Sequence, residues 1–309
     1  MVTPRMSDSN AAPPCPTLNV LVPARNEQTL IGRCLEQLLH QDFTGRLRVL
    51  VAANACTDCT AGRARQYVAG FRSKGWELEV LELAQAGKPS ALDAADARCL
   101  PGPRIYLDAD VEISPDALTE VADLLRPGTG IHLAMPRRAM RAPRSLVSRS
   151  YLKVWRELPR IRNQHIGSGF YGVSERGRER WTTFPAIISD DDFVKLHFAP
   201  DECGIAERAT LHTSVPEGLR ELSRVRARWT RGTGELRRCH PELRALSERS
   251  RHGAASGLLR RPHVWPHVPT FALVALLAAW WAWRHRGAGL GRWERAERSR
   301  TLDAADAAD

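Results

Sequence analysis

Four apolar runs organise the first 125 residues of this chain, and each is followed by polar residues and a helical pattern. The runs predict β-strands at residues 18–24, 47–53, 78–83 and 105–110. Between them, apolar residues recur at steps of three and four, as in residues 30–39, which predicts helices with one buried face. Strands that alternate with helices predict an α/β fold with a mostly parallel central sheet flanked by helices.

Polar side chains cluster directly after three of the predicted strands. They are Arg25, Asn26, Glu27, Asn54, Asp58, Asp108 and Asp110. In open α/β sheets, ligands bind at the carboxyl ends of the strands. The sequence therefore predicts one binding site at this edge of the sheet.

The fourth predicted strand ends in Asp108-Ala109-Asp110, which suggests a cation site. Alternation along an extended strand would point both carboxylates in the same direction. Two like charges on one face repel each other unless a cation lies between them, and a divalent ion bound to phosphate oxygens is a common solution. A solvated strand end is the alternative that these residues alone leave open.

After residue 126 the pattern is less regular. It predicts a strand at residues 131–136, a basic amphipathic helix at 144–162 and a second basic helix at 219–229. Three consecutive acids, Asp190-Asp191-Asp192, lie between these helices. They are either part of a site or a favourable set of charges at a helix N-terminus.

Residues 264–283 form the most apolar window of the chain. From Phe271 to Trp283 it contains only Ala, Val, Leu, Phe and Trp, but this clean run is shorter than the roughly 20 residues that span a bilayer. Trp280, Trp281 and Trp283 suit a membrane interface, and basic residues flank both ends. A membrane span, an interfacial segment and a buried helix all remain open.

Charge and cysteine content narrow the class of protein. The net charge of +10 favours an anionic partner, which could be a phosphorylated ligand, a nucleic acid or an acidic lipid surface. The seven cysteines are scattered and odd in number, so we expect no disulfide framework and a reducing cytoplasm. Residues 1–16 contain no apolar core of a secretory signal, and we expect a disordered tail there.

Six short motifs occur in the order that is typical of one enzyme family. They are Val22-Pro-Ala-Arg-Asn-Glu27, Asn54-x-x-Thr57-Asp58, Gly87-Lys88, Asp108-Ala-Asp110, Asp190-Asp191 and Arg228-Trp229. Over residues 18–235 the chain resembles a family 2 glycosyltransferase with the nucleotide-sugar-binding GT-A fold. Two positions differ from the family pattern: Val225 replaces a glutamine, which leaves processivity open, and Asn54 replaces an acid, which leaves the nucleotide base open.

The resemblance implies a domain layout. It places a GT-A domain at 17–240, with a Rossmann-like nucleotide-sugar half at 17–125 and an acceptor half at 126–240. We expect a basic linker at 241–263, a membrane-associated or transmembrane segment at 264–283 and a charged tail at 284–309. The predicted location is the cytoplasmic face of the plasma membrane, where such enzymes build cell-envelope polysaccharide.

The resemblance also implies roles for individual residues. The donor-binding residues would be Pro23, Ala24, Arg25, Glu27, Asn54, Asp58, Lys88, Asp108, Arg228 and Trp229. Asp110, with Asp108 beside it, would hold a divalent cation, Mn²⁺ or Mg²⁺. Asp191 is the expected general base, with Asp190 as the second choice, because an acceptor hydroxyl must lose its proton.

The glycine-rich segment at residues 167–172 has three possible interpretations. Its G-x-G-x-x-G spacing matches a dinucleotide-binding fingerprint, but no clear apolar strand precedes it and polar residues follow it. We expect instead that Gly167, Gly169 and Phe170 line the acceptor site, although a plain turn fits equally well.

The resemblance implies an inverting glycosyltransferase, and the chemistry of these residues fits that activity. Such an enzyme moves a sugar from a nucleoside-diphosphate sugar to a lipid or glycan hydroxyl, and the leaving diphosphate needs positive charge as the bond breaks. The alternatives are a sugar-phosphate nucleotidyltransferase, a basic nucleic-acid-binding protein and a transferase relative that only binds. The first lacks a glycine-rich loop after the first strand, and the second lacks a recognisable nucleic-acid module, so no nucleic-acid partner is expected.

Overall fold

A mixed β-sheet forms the centre of the computed structural model, which describes residues 17–158, 161, 169–243 and 261–285. Within these residues the sheet has eight strands in the order β3-β2-β1-β4-β7-β6-β8-β5. The strands are β1 (Leu18–Ala24), β2 (Leu47–Asn54), β3 (Glu77–Leu83), β4 (Arg104–Leu107), β5 (Glu112–Ile113), β6 (Leu133–Met140), β7 (Phe170–Val173) and β8 (Cys203–Thr213). Strands β1 to β4 are parallel to one another, as predicted, and β7 runs antiparallel to β4.

Helices cover the sheet on both faces. They are α1 (Ile31–Leu39), α2 (Thr60–Arg65), α3 (Val68–Ser73), α4 (Lys88–Asp96), α5 (Ala117–Leu124), α6 (Leu146–Trp155), α7 (Glu175–Arg178), α8 (Asp190–Lys195), α9 (Gly218–Cys239) and α10 (Val268–Arg284). Strand β1 is buried along its whole length because helices lie on both sides of it, which explains a sequence that is apolar apart from Asn19. The prediction of an α/β fold with a flanked, mostly parallel sheet is confirmed.

Strand β5 crosses from the first half of the chain to the far edge of the sheet. Its residues Glu112 and Ile113 pair antiparallel with His212 and Leu211 of β8. The strands of residues 17–125 and the later strands β6 to β8 therefore share one continuous sheet. The carboxyl end of β4 faces the elements that follow it in the chain.

Several elements differ from their predicted bounds, and two of these differences bear on the site. The fourth strand ends at Leu107, and Asp108 to Asp110 form a turn in which the Val111 N–H donates to the Asp108 carbonyl at 3.3 Å. The helix predicted at 219–229 continues to Cys239 as α9, through Gly232 and Gly234. Gly232 allows a close approach, since a Cβ there would lie 2.2 Å from Ser189 Oγ.

Helices α6, α9 and α10 form a layer beside the second half of the sheet. The ring of Phe271 in α10 stacks on Tyr151 of α6, with their centroids 5.2 Å apart. Val274, Ala278 and Ala282 of α10 are buried, the last two against Ala227 of α9. The segment Pro262–Arg284, which includes α10, is long and apolar enough to cross a membrane by length and composition.

Candidate active site

A cavity of about 340 Å³ opens at the carboxyl ends of β1 and β4. The turn after β4, the N-terminus of α4 and the N-terminus of α8 form its polar side. Helices α6 and α9 contribute Tyr151, Trp155, Val225, Arg228 and Trp229 to the opposite wall. The cavity therefore lies between the nucleotide-binding half expected from the sequence and the helices that follow it.

The loops after β1 and β2 are tied together by side-chain hydrogen bonds. The Asn26 side chain accepts from the Thr57 N–H at 2.7 Å and donates to Thr57 Oγ1 at 3.1 Å. The carboxylate of Asp58 accepts from the N–H groups of Gln28 at 3.2 Å and Thr60 at 3.0 Å. Asp58 thus fixes the position of the two loops through backbone contacts.

Asn54 holds the loop that leads into α4. Its side chain is 3% exposed, donates to the Gly87 carbonyl at 2.6 Å and accepts from the Gly87 N–H at 3.1 Å. The Asn54 side chain thus uses both its NH₂ group and its oxygen to bind the backbone of Gly87, the residue before Lys88. Asn54 therefore acts on the cavity by placing the start of α4.

Lys88 links the acids of two separate elements. Its Nζ lies 2.8 Å from Asp108 Oδ1 after β4 and 3.2 Å from Asp190 Oδ2 at the start of α8. Asp190 is 4% exposed, so its charge is largely shielded from water. The ammonium group offsets the repulsion between these carboxylates, which would otherwise be costly in a buried site.

The electrostatics of the cavity follow from this cluster. Burial lowers the pKa of Lys88, but Asp108 and Asp190 outweigh it and keep that pKa above its ordinary value. Burial, reinforced by Asp192 and Asp190, raises the pKa of Asp191 to about 7, although Lys88 opposes the shift. A carboxyl group that titrates near neutral pH can accept a proton under physiological conditions.

The carboxylates that line the cavity fit a divalent cation whose remaining coordination positions are filled by a bound ligand. Asp108 and Asp110 both line the cavity, and Asp110 is exposed. Among the described residues, no group of three or more His, Cys, Asp or Glu side chains could hold a metal ion alone. Mg²⁺ commonly binds through one or two carboxylates plus substrate phosphates, and these two residues supply that part of the shell.

The sequence pattern of the family described as Glycosyl transferase family 2 matches residues 19–171. This region contains β1 except for its first residue, β2 to β6, the Asp108–Asp110 turn and the first two residues of β7. This match identifies a glycosyltransferase family 2 domain at residues 19–171.

One relative of this glycosyltransferase is an N-acetylglucosaminyltransferase of Mesorhizobium japonicum. It is 28% identical over 124 residues, which cover 39% of this chain and 28% of the relative. The match therefore spans less than a third of the relative's length.

Two solved structures share the fold. The mannosyltransferase PcManGT from Pyrobaculum calidifontis, in complex with GDP-Man and Mn²⁺, superposes with a TM-score of 0.55 at 18% identity and covers 97% of this chain and 84% of its own. TarS 1–349 of S. aureus, in complex with UDP-GlcNAc, gives a TM-score of 0.50 at 17% identity, over 65% and 59% of the two chains. The fold of this glycosyltransferase is thus of the GT-A type.

The structure brings most of the predicted site residues together. The cavity is lined by Pro23, Glu27, Lys88, Asp108, Asp110, Gly169, Asp190, Asp191, Arg228 and Trp229. Outside the lining lie Ala24, Arg25, Asn54, Asp58 and Phe170, and Phe170 is buried in the core. Gly167 lies outside the described residues, as do the expected tail at 1–16, most of the linker and nearly all of the charged tail.

Several cavity residues of this glycosyltransferase were not predicted. Arg138 and Arg141 come from the end of β6, and His212 comes from β8. Glu112 forms ion pairs with both Arg33 and Arg141 at the cavity rim. The only sequence signal was the Arg137-Arg138 pair directly after the strand predicted at residues 131–136.

Proposed function

We propose that this protein is an inverting, metal-assisted glycosyltransferase that transfers a sugar from a nucleoside-diphosphate sugar to a hydroxyl of a lipid or glycan acceptor. The observation that carries the proposal is the convergence of Asp108, Asp110 and Asp191 on one cavity, with Lys88 between Asp108 and Asp190. The family 2 domain favours sugar transfer over nucleotidyl transfer or nucleic-acid binding.

The donor would lie against the first half of the sheet. Pro23 and Glu27 line the cavity directly, whereas Ala24, Arg25, Asn54 and Asp58 belong to the surrounding loops. A divalent cation held by Asp110 and Asp108 would stabilise the negative charge of the departing diphosphate. Lys88 and Arg228 are the cavity cations that can add to this stabilisation.

Asp191 would act as the general base. It lines the cavity next to Lys88 and the Asp108 turn, and its raised pKa suits proton transfer near neutral pH. A direct attack by the activated hydroxyl on the anomeric carbon, opposite the leaving diphosphate, inverts the configuration of that carbon. Asp190 is the weaker candidate because it is buried against Lys88.

The acceptor would enter along α6 and α9. Trp155 and Trp229 line that wall with their rings stacked 5.6 Å apart, and Gly169 lies at the inner end beside Asp108. Aromatic faces and nearby arginines suit a sugar or an anionic acceptor head group. The apolar segment that ends at Arg284 supports a location at the cytoplasmic face of the plasma membrane.

The structural neighbours carry two different nucleotides, so the donor should be identified with a panel. We would measure nucleoside diphosphate release from UDP-, GDP- and dTDP-sugars with Mn²⁺, Mg²⁺ or EDTA. Metal-dependent release from one donor, reduced by about 10²-fold or more in Asp110→Ala and Asp191→Ala, is expected. The exposed acid Asp123 provides a matched control, and Asp123→Ala should behave like the wild type.

Donor binding separates the two roles. By calorimetry with metal present, Asp191→Ala should bind the donor as the wild type does, whereas Asp110→Ala should bind it weakly. If the wild type releases no diphosphate and binds no donor of the panel, the proposed function is wrong.

A further inference from the structure

The outward face of α10 is an exposed apolar stripe. It consists of Val268, Leu273, Leu276, Trp280 and Trp283, whose exposed fractions run from 39% to 69%. Between Val268 and Trp283 the helix contains no charged residue. Soluble proteins rarely leave such a continuous apolar surface in water, so the stripe requires a partner.

The opposite face of α10 is fixed to the catalytic domain. Val274, Ala278 and Ala282 are buried, and small residues at this spacing allow close packing on α9. The ring of Phe271 stacks on Tyr151, which also lines the cavity. The helix is therefore a part of the domain surface with one free side.

The neighbouring helix α9 argues against a membrane-spanning position of α10. It packs along α10 and contains Arg220, Arg224, Arg226, Arg228, Arg231, Arg237 and Arg238. If α10 crossed a bilayer in this packing, α9 would carry its arginines into the hydrocarbon layer, where charged side chains are strongly disfavoured.

Charge and aromatic residues around the stripe identify the partner. The guanidinium of Arg284 lies 5.5 Å from the ring centre of Trp280, and that of Arg224 lies 5.5 Å from the ring centre of Trp281. Both arginines are exposed, as is Trp265 before the helix. Tryptophan and arginine beside an apolar helical face are typical of segments that lie in the interface of an anionic membrane.

We propose that α10 lies in the plane of an anionic lipid bilayer surface. Its apolar stripe enters the boundary between head groups and acyl chains, and Arg224 and Arg284 contact lipid phosphates. The catalytic domain rests on the membrane through α6 and α9. This surface is separate from the donor site, so its test is independent of sugar transfer.

The first test is co-flotation of the full-length protein with vesicles. Binding to vesicles of phosphatidylcholine and phosphatidylglycerol is expected, with at least about tenfold weaker binding to phosphatidylcholine alone and in high salt. Leu276→Glu should weaken binding by about tenfold or more, because it places a charge in the stripe. Leu276→Phe, which keeps the position apolar, should bind like the wild type.

Charge reversal tests the lipid contacts. Arg224→Glu combined with Arg284→Glu should reduce binding to the anionic vesicles by about tenfold or more. Arg176→Glu, at an exposed arginine on α7, should have little effect. Circular dichroism and donor binding by each variant would show that the catalytic domain is folded.

Topology separates an in-plane helix from a span. With an epitope tag after Asp309, protease added outside sealed vesicles that carry bound protein should remove the tag. A protected tag would show that the helix spans the bilayer and would overturn the proposal. It would also be overturned by a wild-type protein that binds neither vesicle type, or by a dimer in solution that Leu276→Glu converts to a monomer.

Discussion

The peptide N–H of Asp108 donates a hydrogen bond of 2.7 Å to the carbonyl oxygen of Gly169. Gly169 has φ +76°, and a Cβ at this position would lie 3.0 Å from Asp108 Oδ2 and 2.7 Å from Val111 Cγ2. The glycine thus allows β7 to begin directly beside the carboxylates. We predict that Gly169→Ala displaces the Asp108 carboxylate, lowers kcat/KM by about tenfold or more and destabilises the fold by about 1–3 kcal/mol.

Gly234→Ala is the matched control for this glycine. Gly234 lies in α9 with open space around its Cα, so alanine should stabilise the protein by about 0.5–1 kcal/mol and leave kcat/KM unchanged. Steady-state kinetics and urea unfolding measure both effects. Wild-type kinetics in Gly169→Ala would show that the close approach to Asp108 has no part in the activity.

Asn54→Asp should destabilise the folded protein, although it introduces the acid that the family usually has at this position. An aspartate can accept from the Gly87 N–H, but its second oxygen would face the Gly87 carbonyl, to which the asparagine donates at 2.6 Å. Because the site is buried, we expect a loss of about 1–3 kcal/mol in the free energy of unfolding and a higher donor KM.

Asn26→Asp provides the comparison. Asn26 contacts the N–H and the hydroxyl of Thr57, and the hydroxyl can reverse its role and donate to a carboxylate. The stability of Asn26→Asp should therefore lie within about 0.5 kcal/mol of the wild type. Equal unfolding curves for the two variants would contradict the role assigned to the Asn54–Gly87 contact.

Lys88→Met should change the pH dependence of the reaction. With Asp191 as the base, kcat/KM of the wild type should fall below a pH of about 7, because the protonated carboxyl cannot accept a proton. Lys88 lowers the pKa of Asp191, so its removal should move this acidic limb to higher pH, by about one unit, and raise the donor KM. Kinetics between pH 5 and pH 9 measure the shift.

Lys153→Met removes a lysine that is exposed on α6, and its pH profile should match that of the wild type. If the acidic limb of the Lys88→Met profile lies at the same pH as in the wild type, the limb reflects the titration of a group other than Asp191.

Asp191→Asn should affect stability in a pH-dependent manner. The pKa of Asp191 in the folded protein, about 7, lies above the ordinary pKa of 3.8 for an aspartate side chain, chiefly because the carboxyl is buried. The proton therefore stabilises the folded state at low pH, and this contribution is lost as the pH rises from about 4 to about 7. The gain in Tm from Asp191→Asn should then be larger at pH 8 than at pH 5.

Asp123→Asn changes an exposed acid on α5 that pairs with Arg126, and its effect on Tm should differ little between the two pH values. Thermal unfolding followed by circular dichroism gives the change in Tm from the wild type for each of the two variants at each of the two pH values. A gain for Asp191→Asn that is equal at pH 5 and pH 8 would contradict the raised pKa.

The first half of the sheet could be predicted because its signals are local. Strand β1 was predicted with its observed bounds, and β2 differs from its prediction by one residue at its end. Both predicted strands are mostly apolar runs, with one polar residue at the second position, and both are followed by polar residues. The Asp108–Asp110 turn was assigned to a strand because alternating aspartates fit an extended chain equally well. The two carboxylates reach the same cavity, but through a turn.

The rest of the site depends on contacts between distant parts of the chain. Helix α9 passes through two glycines because Gly232 packs against residues 188 and 189, and no local pattern shows this. Likewise, Arg138 and His212 reach the cavity only through the pairing of β6 with β8, whose register shifts between Pro136 and Arg137. The sequence placed Asn54 among the residues that bind the sugar donor, whereas in the structure its side-chain amide forms hydrogen bonds with the backbone of Gly87.

The pairing of Ile113 with Leu211 determines when the chain can complete its fold during synthesis. Strand β5 is made early, but its partner follows 98 residues later. At a translation rate of 5–20 residues per second, this delay lasts about 5–20 s. For that time β5 is unpaired, and until β7 is made the nascent sheet also has an open edge at β4. Unpaired strand edges are the features that chaperones protect from aggregation.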